Sequence, residues 1–272
     1  MIDTLIIQAA GDGIKKRLAE PFKKSIIKKS VREANMDIQG LQKLTLLDYP
    51  GKTACTVFLA GCNLRCPFCH NSGLLSADVP AELDSDGLLA FLKKRQGLLD
   101  GVAVTGGEPT LRPELPELLS EIRALGYAVK LDTNGTFPER LRRILEAGLV
   151  DYVAMDVKNS PERYAQTTGC TGIDLEAVKQ SLLLLLNGNV DYELRTTVVE
   201  ELHDEEAFRS IGRFLAALSP DRKPKRYFLQ SFTDRDSVLM AGFHAPRIEA
   251  LRSYREILQP YVECCTIRGR DE

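Results

Sequence analysis

Residues 61–71, "GCNLRCPFCHN", hold three cysteines, Cys62, Cys66 and Cys69, in the spacing C-x3-C-x2-C. Four cysteine ligands close a structural metal site, whereas three thiolates on a four-iron cluster leave one iron open. An open position is what a catalytic metal centre keeps for a ligand that is not protein. The competing arrangement is a zinc site completed by His70. That residue directly follows Cys69, so its side chain points away from that ligand in most backbone conformations. Three further polar signatures stand at the ends of β-rich runs: "TGGEP" (105–109), "DTNG" (132–135) and "MDVK" (155–158).

The elements that must position these residues begin at residue 53. "TACTVFLAG", "GVAVTGG", "YAVKLDTNG", "DYVAMDVK", "DYELRTTVV" and "RYFLQSF" are strand-like runs. Helical spacing lies between them: Leu115, Leu118, Leu119, Ile122 and Leu125 before Gly126, then Leu141, Ile144 and Leu145 before Gly148. Six strands alternating with helices predict right-handed βαβ units and a parallel sheet. Six units fall short of the eight in a closed barrel. The expected fold is α/β, an open partial (β/α)6 TIM-type barrel, with "VECCTIRG" (262–269) covering an edge. In such folds the working residues gather at the C-terminal strand ends, where the polar signatures fall. Cys55, Cys170, Cys264 and Cys265 lack cluster spacing and are expected to be buried or bystander thiols, the adjacent pair facing opposite sides of a strand. His203 and His244 flank polar segments and are expected at the surface, and the leucine run 182–186 in the core.

The chain has 272 residues, 44% hydrophobic and 27% charged, with a formal net charge of −2. That composition suits a globular enzyme and argues against a general nucleic-acid binder. No run approaches the roughly 20 apolar residues of a membrane span, and no secretory leader is visible. The expectation is a cytoplasmic protein whose thiols stay reduced. Residues 1–37 form a basic N-terminal extension and 38–272 the barrel domain. The first 35 residues hold eight Lys or Arg against four acids. They could be a solvated, fraying helix, a partner-docking arm, or sequence upstream of a natural start at Met36.

C-x3-C-x2-C with Phe68 before the last cysteine resembles the signature of the radical S-adenosylmethionine family. In that family Cys62, Cys66 and Cys69 would hold a [4Fe-4S] cluster whose open iron is chelated by the methionine end of S-adenosylmethionine, with Phe68 against the adenine. A reduced cluster then passes an electron to the sulfonium, and a 5′-deoxyadenosyl radical abstracts a hydrogen atom. "GGEP" looks like the family's glycine-rich strand end, in which the backbone carbonyls of Gly106 and Gly107, and Glu108, receive the methionine amino group. "LDYPGK" (47–52) resembles an element of glycyl-radical-enzyme activases that lies near the partner's glycyl loop, which implies substrate contact by Asp48. The stretch from "GLQKL" through the cysteines is most similar to anaerobic ribonucleoside-triphosphate reductase activating proteins. By the same resemblance Asp132, Thr133 and Asp156 would ligate a monovalent cation, with Lys158 nearby on the substrate side. Arg195 and Asn134 would bind the cofactor, and Gln230 stands where pyruvate formate-lyase activases carry a histidine. The implied partners are the glycyl loop of the anaerobic reductase large subunit and a flavodoxin or ferredoxin as electron donor. Another glycyl radical enzyme of the pyruvate formate-lyase type, or a small molecule, is the alternative target.

Overall fold

The computed structural model describes residues 35–269, so most of the expected 1–37 extension lies outside the described residues. A two-residue strand β1 (Asp37–Ile38) leads into β2 (Gly40–Thr45), β3 (Ala54–Leu59), the short β4 (Leu83–Asp84) and helix α1 (Ser85–Lys93). Next come β5 (Gly101–Gly106), α2 (Leu115–Ala124), β6 (Ala128–Thr133), α3 (Pro138–Glu146) and β7 (Tyr152–Asp156). The chain continues through α4 (Tyr164–Thr168), α5 (Leu175–Asn187), β8 (Asp191–Val198), α6 (Glu205–Leu218) and β9 (Arg226–Ser231). It closes with α7 (Ile248–Leu258) and β10 (Cys264–Arg268).

Helix boundaries follow local chemistry. Asp84, Asp174 and Asp204 cap α1, α5 and α6 by accepting hydrogen bonds from first-turn N–H groups. α2 and α3 open near a proline, and left-handed Gly126 (φ +90°) and Gly148 (φ +63°) follow their ends.

Eight strands form one sheet in the order β10-β9-β8-β7-β6-β5-β3-β2. All neighbours are parallel except β2, which runs antiparallel to β3. The six expected strands and the expected edge strand β10 are all present. The sheet stays open, with β2 and β10 at its edges, which is a partial TIM-type barrel. The addition is β2. Its "GLQKLT" lacks the alternation of a half-buried strand because Gln42, Lys43 and Leu44 are all exposed at the sheet edge.

β1 and β4 pair as a separate antiparallel ribbon. Met36 and Ile38 are buried, and Met36 N–H donates to Ser85 Oγ while Ser85 N–H donates to the Met36 carbonyl. Met36 and Ile38 thus both belong to the compact unit that starts at Met36. One face of the sheet packs its apolar residues against the helices in a single core that includes Val57, Val104, Leu131, Met155 and Leu194. The leucine run 182–186 enters that core through Leu182, Leu185 and Leu186. Among the described residues no helix is long and apolar enough to cross a membrane.

Candidate cluster and cofactor site

The other face of the sheet lines a cavity of about 470 Å³ that opens at the C-terminal strand ends. Every candidate residue borders it: Asp48, Cys62, Cys66, Phe68, Cys69, Gly106, Gly107, Glu108, Asp132, Thr133, Asn134, Asp156, Lys158, Arg195 and Gln230. Its size is in the range of cofactor pockets, roughly 300–1,000 Å³.

The cysteine loop follows β3 and is braced from several sides. Arg65 donates to the carbonyls of Cys62 and Leu64 at 2.6 and 2.7 Å, and Arg65 N–H donates to Thr168 O. A Cβ on Gly169 would lie 2.2 Å from the Arg65 carbonyl, so the turn after α4 needs glycine. The segment after β9 straps the loop. Leu239 N–H and Met240 N–H donate to the carbonyls of Cys69 and Pro67, and Ser72 Oγ donates to Ser237 O. His70 turns away from the thiols as expected, its Nε2 2.6 Å from Thr233 O and its ring stacked on Phe232. Phe68 is buried edge-on against the same Phe232. Nothing in the spacing of "SFTDRDSVLMAGFH" marks this strap.

All three thiols are free. Burial pushes each upward, Cys66 to about 11, and the Lys158 charge opposes that rise in all three. Leu64 N–H points at Cys62 Sγ from 3.4 Å, and Asn71 N–H bonds the Cys69 thiol. Backbone donors and a nearby cation favour thiolates, the form that binds iron. Among the described residues no group of three or more His, Cys, Asp or Glu is gathered as a single-ion site. A four-iron cluster does not ask for that convergence, because each cysteine takes a different iron. The residues present fit the cluster.

The "GGEP" turn differs in detail from the expectation. A Cβ on Gly106 would meet the Leu59 backbone at 2.2 Å, and one on Gly107 would meet the Gly61 carbonyl at 2.2 Å. What approaches these glycines here is the start of the cysteine loop. The Gly106 carbonyl already accepts from Asn71 Nδ2 at 3.0 Å. Glu108 is 1% exposed, and its carboxylate accepts from Thr110 N–H and hydroxyl, Thr133 Oγ1 (2.8 Å) and Asn134 N–H (2.6 Å). Burial raises its pKa and those donors oppose the rise. Glu108 thus staples the ends of β5 and β6, while Oε2, with one donor, keeps lone-pair capacity. Asn134 is similarly committed: Nδ2 donates to Asn63 Oδ1 at 3.0 Å, and Oδ1 caps Thr136.

A ladder of alternating charge crosses the cavity floor. Lys130 ion-pairs with one Asp132 oxygen and Arg195 Nη2 with the other at 3.0 Å. Arg195 Nε meets Asp156 Oδ1 at 2.5 Å, and Lys158 Nζ meets Asp156 Oδ2 at 2.6 Å. Burial would raise both aspartates, but Arg195 with Lys130 or Lys158 more than offsets it, so both stay below the usual carboxylate range. The expected cation ligands are therefore already held by the chain's own cations. Thr133 Oγ1 is likewise engaged with Glu108 and Gly135 N–H. Lys158, expected on the substrate side, sits between Asp156 and the cysteines.

His203 is a correction. It is 3% exposed, with Nε2 2.9 Å from the Lys158 carbonyl and Nδ1 against Val199. The polar sequence around it hid a ring that packs between β8 and α6, stacked on Phe208. His244 is exposed and paired with Glu201. Cys55 and Cys265 are buried and Cys264 exposed, as expected of bystander thiols.

Asp48 reaches the cavity from the other end. Thr45 pairs with Ala54 at the start of β3, whereas the cysteines follow its end. The Asp48 carboxylate accepts from Thr56 Oγ1 at 2.6 Å. Tyr49 in "LDYPGK" is a packing residue, 2% exposed against Ala54 and Tyr152.

Comparison with known proteins agrees with this geometry. The Radical SAM superfamily model matches residues 56–211. A Methanocaldococcus jannaschii protein provisionally named a glycyl-radical enzyme activating enzyme is 30% identical over 246 residues, covering 85% of this chain and 95% of that one. A Methanopyrus kandleri 7-carboxy-7-deazaguanine synthase is 31% identical over only 149 residues, 47% of this chain and 56% of that protein. A domain of the Bacteroides vulgatus pyruvate-formate lyase-activating enzyme superposes with a TM-score of 0.51 at 24% identity, covering 62% of this chain and 99% of that one. Streptococcus suis SuiB bound to S-adenosylmethionine gives 0.59 at 11% identity, covering 79% and 52%. At those identities the two structures establish the fold. The family match over more than half of the chain, and the near full-length relative, establish more: this chain belongs to the radical SAM superfamily, whose enzymes use a [4Fe-4S] cluster and S-adenosylmethionine.

Proposed function

We propose that the chain is a glycyl-radical-enzyme activase, and that its target is a glycine of anaerobic ribonucleoside-triphosphate reductase. The observation that supports this most is the segment that leads from β2 into β3. Asp48 in this segment lines the cavity, and Leu44, Leu46 and Leu47 just before it in the chain are 58%, 71% and 89% exposed. Three bare leucines within four residues form an apolar surface where a protein segment, rather than a small polar metabolite, would be held. The near full-length relative named as an activating enzyme supports the same reading. The deazaguanine synthase, which would favour a small-molecule target, aligns with only about half of this chain.

When bound, the cluster would supply the electron for cleaving the S-adenosylmethionine sulfonium and so the means of taking a hydrogen atom from the target. The chain's residues do the positioning. Cys62, Cys66 and Cys69 would hold the cluster. Phe68, fixed by Phe232, offers a face to the adenine. Glu108 ties the β5 end to Asn134 at the β6 end, and Asn134 ties that end to Asn63 in the cysteine loop. Arg195 and Lys158 offer positive charge to its carboxylate, and Gln230 offers an amide from β9. Asp48 orients the peptide that brings the glycine in. A flavodoxin or ferredoxin is the expected electron source.

The test is anaerobic incubation of cluster-loaded protein with S-adenosylmethionine, a reductant and candidate glycyl enzymes, read by electron paramagnetic resonance. The reading expects a glycyl doublet on the reductase and none on a pyruvate formate-lyase-type enzyme. Asp48→Ala should still release 5′-deoxyadenosine while leaving the doublet undeveloped. Equal loss of both signals would remove Asp48 from the partner side.

A further inference from the structure

We infer that Lys130, together with Arg195, is the built-in counter-charge of the strand-end carboxylates, so that this site binds S-adenosylmethionine without a monovalent cation. The inference rests on the cofactor lying in the cavity described above, and it is independent of which protein is the target. Resemblance to activases implied a cation on Asp132, Thr133 and Asp156, but the residues present do not fit one. Each of the four carboxylate oxygens faces a cationic nitrogen: Lys130 and Arg195 on Asp132, Arg195 and Lys158 on Asp156. The Thr133 hydroxyl donates to Glu108 and accepts from Gly135 N–H. A hard cation needs several oxygens free to turn toward it, and each of these already faces one of the chain's own cations or donors.

Lys130 is the residue that makes the difference. It is 2% exposed, two positions before Asp132 on β6, so strand alternation sends both side chains to the cavity face. A lysine is rarely buried without a partner, and here the partner is the carboxylate on which the cation was expected. The ladder sets two carboxylates against Lys130, Lys158 and Arg195, so Asp132 and Asp156 are neutralised by the chain itself. Glu108, another acid bordering the cavity, is held by Thr110, Thr133 and Asn134. A further cation would have to displace Lys130, Lys158 or Arg195 from the aspartates, and the same side chains favour the carboxylate of an amino-acid cofactor. Glu193, the next acid on β8, does not alter the balance, because Arg268 engages both of its oxygens at 2.7 and 2.9 Å. Lys130 is thus a positioning residue, acting on the cofactor through Asp132 and Arg195.

The test compares cluster-loaded wild type, Lys130→Ala and Lys130→Met in potassium, sodium and choline chloride at matched ionic strength. Two quantities are read: the thermal midpoint and the affinity for S-adenosylmethionine. Wild type should give the same values in all three salts. In choline, Lys130→Ala should bind about tenfold or more weakly, the scale of a lost charge-assisted contact. Potassium or sodium should restore much of that affinity and raise its midpoint, because the vacated space at Asp132 admits an ion. Lys130→Met fills the space without charge and should be weakened in every salt. Wild-type binding or stability that improves several-fold, or by several degrees, in potassium or sodium over choline overturns the inference. So does a folded Lys130→Ala that binds normally, or that is weakened and answers to no salt. If Lys130→Ala does not fold, the wild-type salt series and Lys130→Met decide. If wild type bound no S-adenosylmethionine in any salt, the placement of the cofactor would fail instead, and the midpoints would still report on the cation.

Discussion

β6, β7 and β8 carry two chemistries on alternate residues. Toward the helices they present Val129, Leu131, Val153, Met155 and Leu194, all fully buried in the main core. Toward the cavity the same strands present Lys130, Asp132, Asp156, Glu193 and Arg195, tied into ion pairs. The helix face stabilises by removing apolar surface from water, at about 25 cal/mol per Å². Buried ion pairs rarely add net stability, since desolvation cancels much of the attraction. One face therefore holds the fold together, and the other is explained by what it binds.

The largest test of that contrast is Arg195→Met. It strips a partner from Asp132 and Asp156 at once, and breaking a buried pair from one side costs about 3–5 kcal/mol. S-adenosylmethionine cleavage should fall below detection, including in the fraction that stays folded. Retained cleavage would show the ladder to be structural. Leu131→Ala should destabilise by roughly 2–4 kcal/mol through a cavity in the helix-side core, seen in urea melts. Its cleavage per folded molecule should be unchanged, and a loss beyond the unfolded fraction would break the division between the faces.

Arg268→Met sharpens the comparison within the cavity face. Glu193 is 1% exposed and accepts from Arg268 and from Tyr152 at 2.8 Å. Removing the arginine should cost about 1–3 kcal/mol, less than Arg195→Met because the Arg268 side chain is 33% exposed. Cofactor affinity should not change, since Glu193 and Arg268 do not border the cavity. A several-fold loss of affinity would extend the binding ladder to the foot of β8.

The smallest expected effect concerns protons. On the cavity face, burial is outweighed by Arg195 and the lysines, so Asp132 and Asp156 stay charged, and their stabilisation is lost only below pH ~4 as the pH falls toward their depressed values. In the helix-side layer burial dominates at His203, whose pKa is lowered and which stays neutral. The unfolded chain therefore binds more protons below about pH 6.5, and stability falls with acidification there by up to ~1.4 kcal/mol per pH unit. His203→Gln should remove that slope between pH 6.5 and 5 in urea melts. An unaltered slope would assign it to other groups, though not to His244, whose raised pKa acts with the opposite sign.

Much of this was legible before the fold was seen. The βα alternation survives in the sequence because buried parallel strands demand apolar runs, and glycines close the helices Leu115–Ala124 and Pro138–Glu146. The cysteine spacing and strand-end motifs were legible because a cluster and a cofactor constrain neighbours in the chain. β2 was hidden by its exposure at an edge, and His203 by polar neighbours that do not report what packs on its ring. Lys130 in "AVKLDT" has the pattern of a lysine on a solvated strand face, since alternation tells which residues share a side and not whether that side is wet.

The sequence by itself determined the three-thiol loop, the order of strands and helices, and the set of residues that would meet at the strand ends, because these are properties of local spacing and period. Only the tertiary structure decided how those residues share their charges. Curling the sheet placed Arg195 between Asp132 and Asp156, brought Asp48 to the cavity of the cysteines from the start of β3, and laid the segment after β9 across the cluster loop. Ion-pair partners and bracing contacts join residues tens of positions apart, and a Coulomb interaction depends on distance in space, not on distance along the chain.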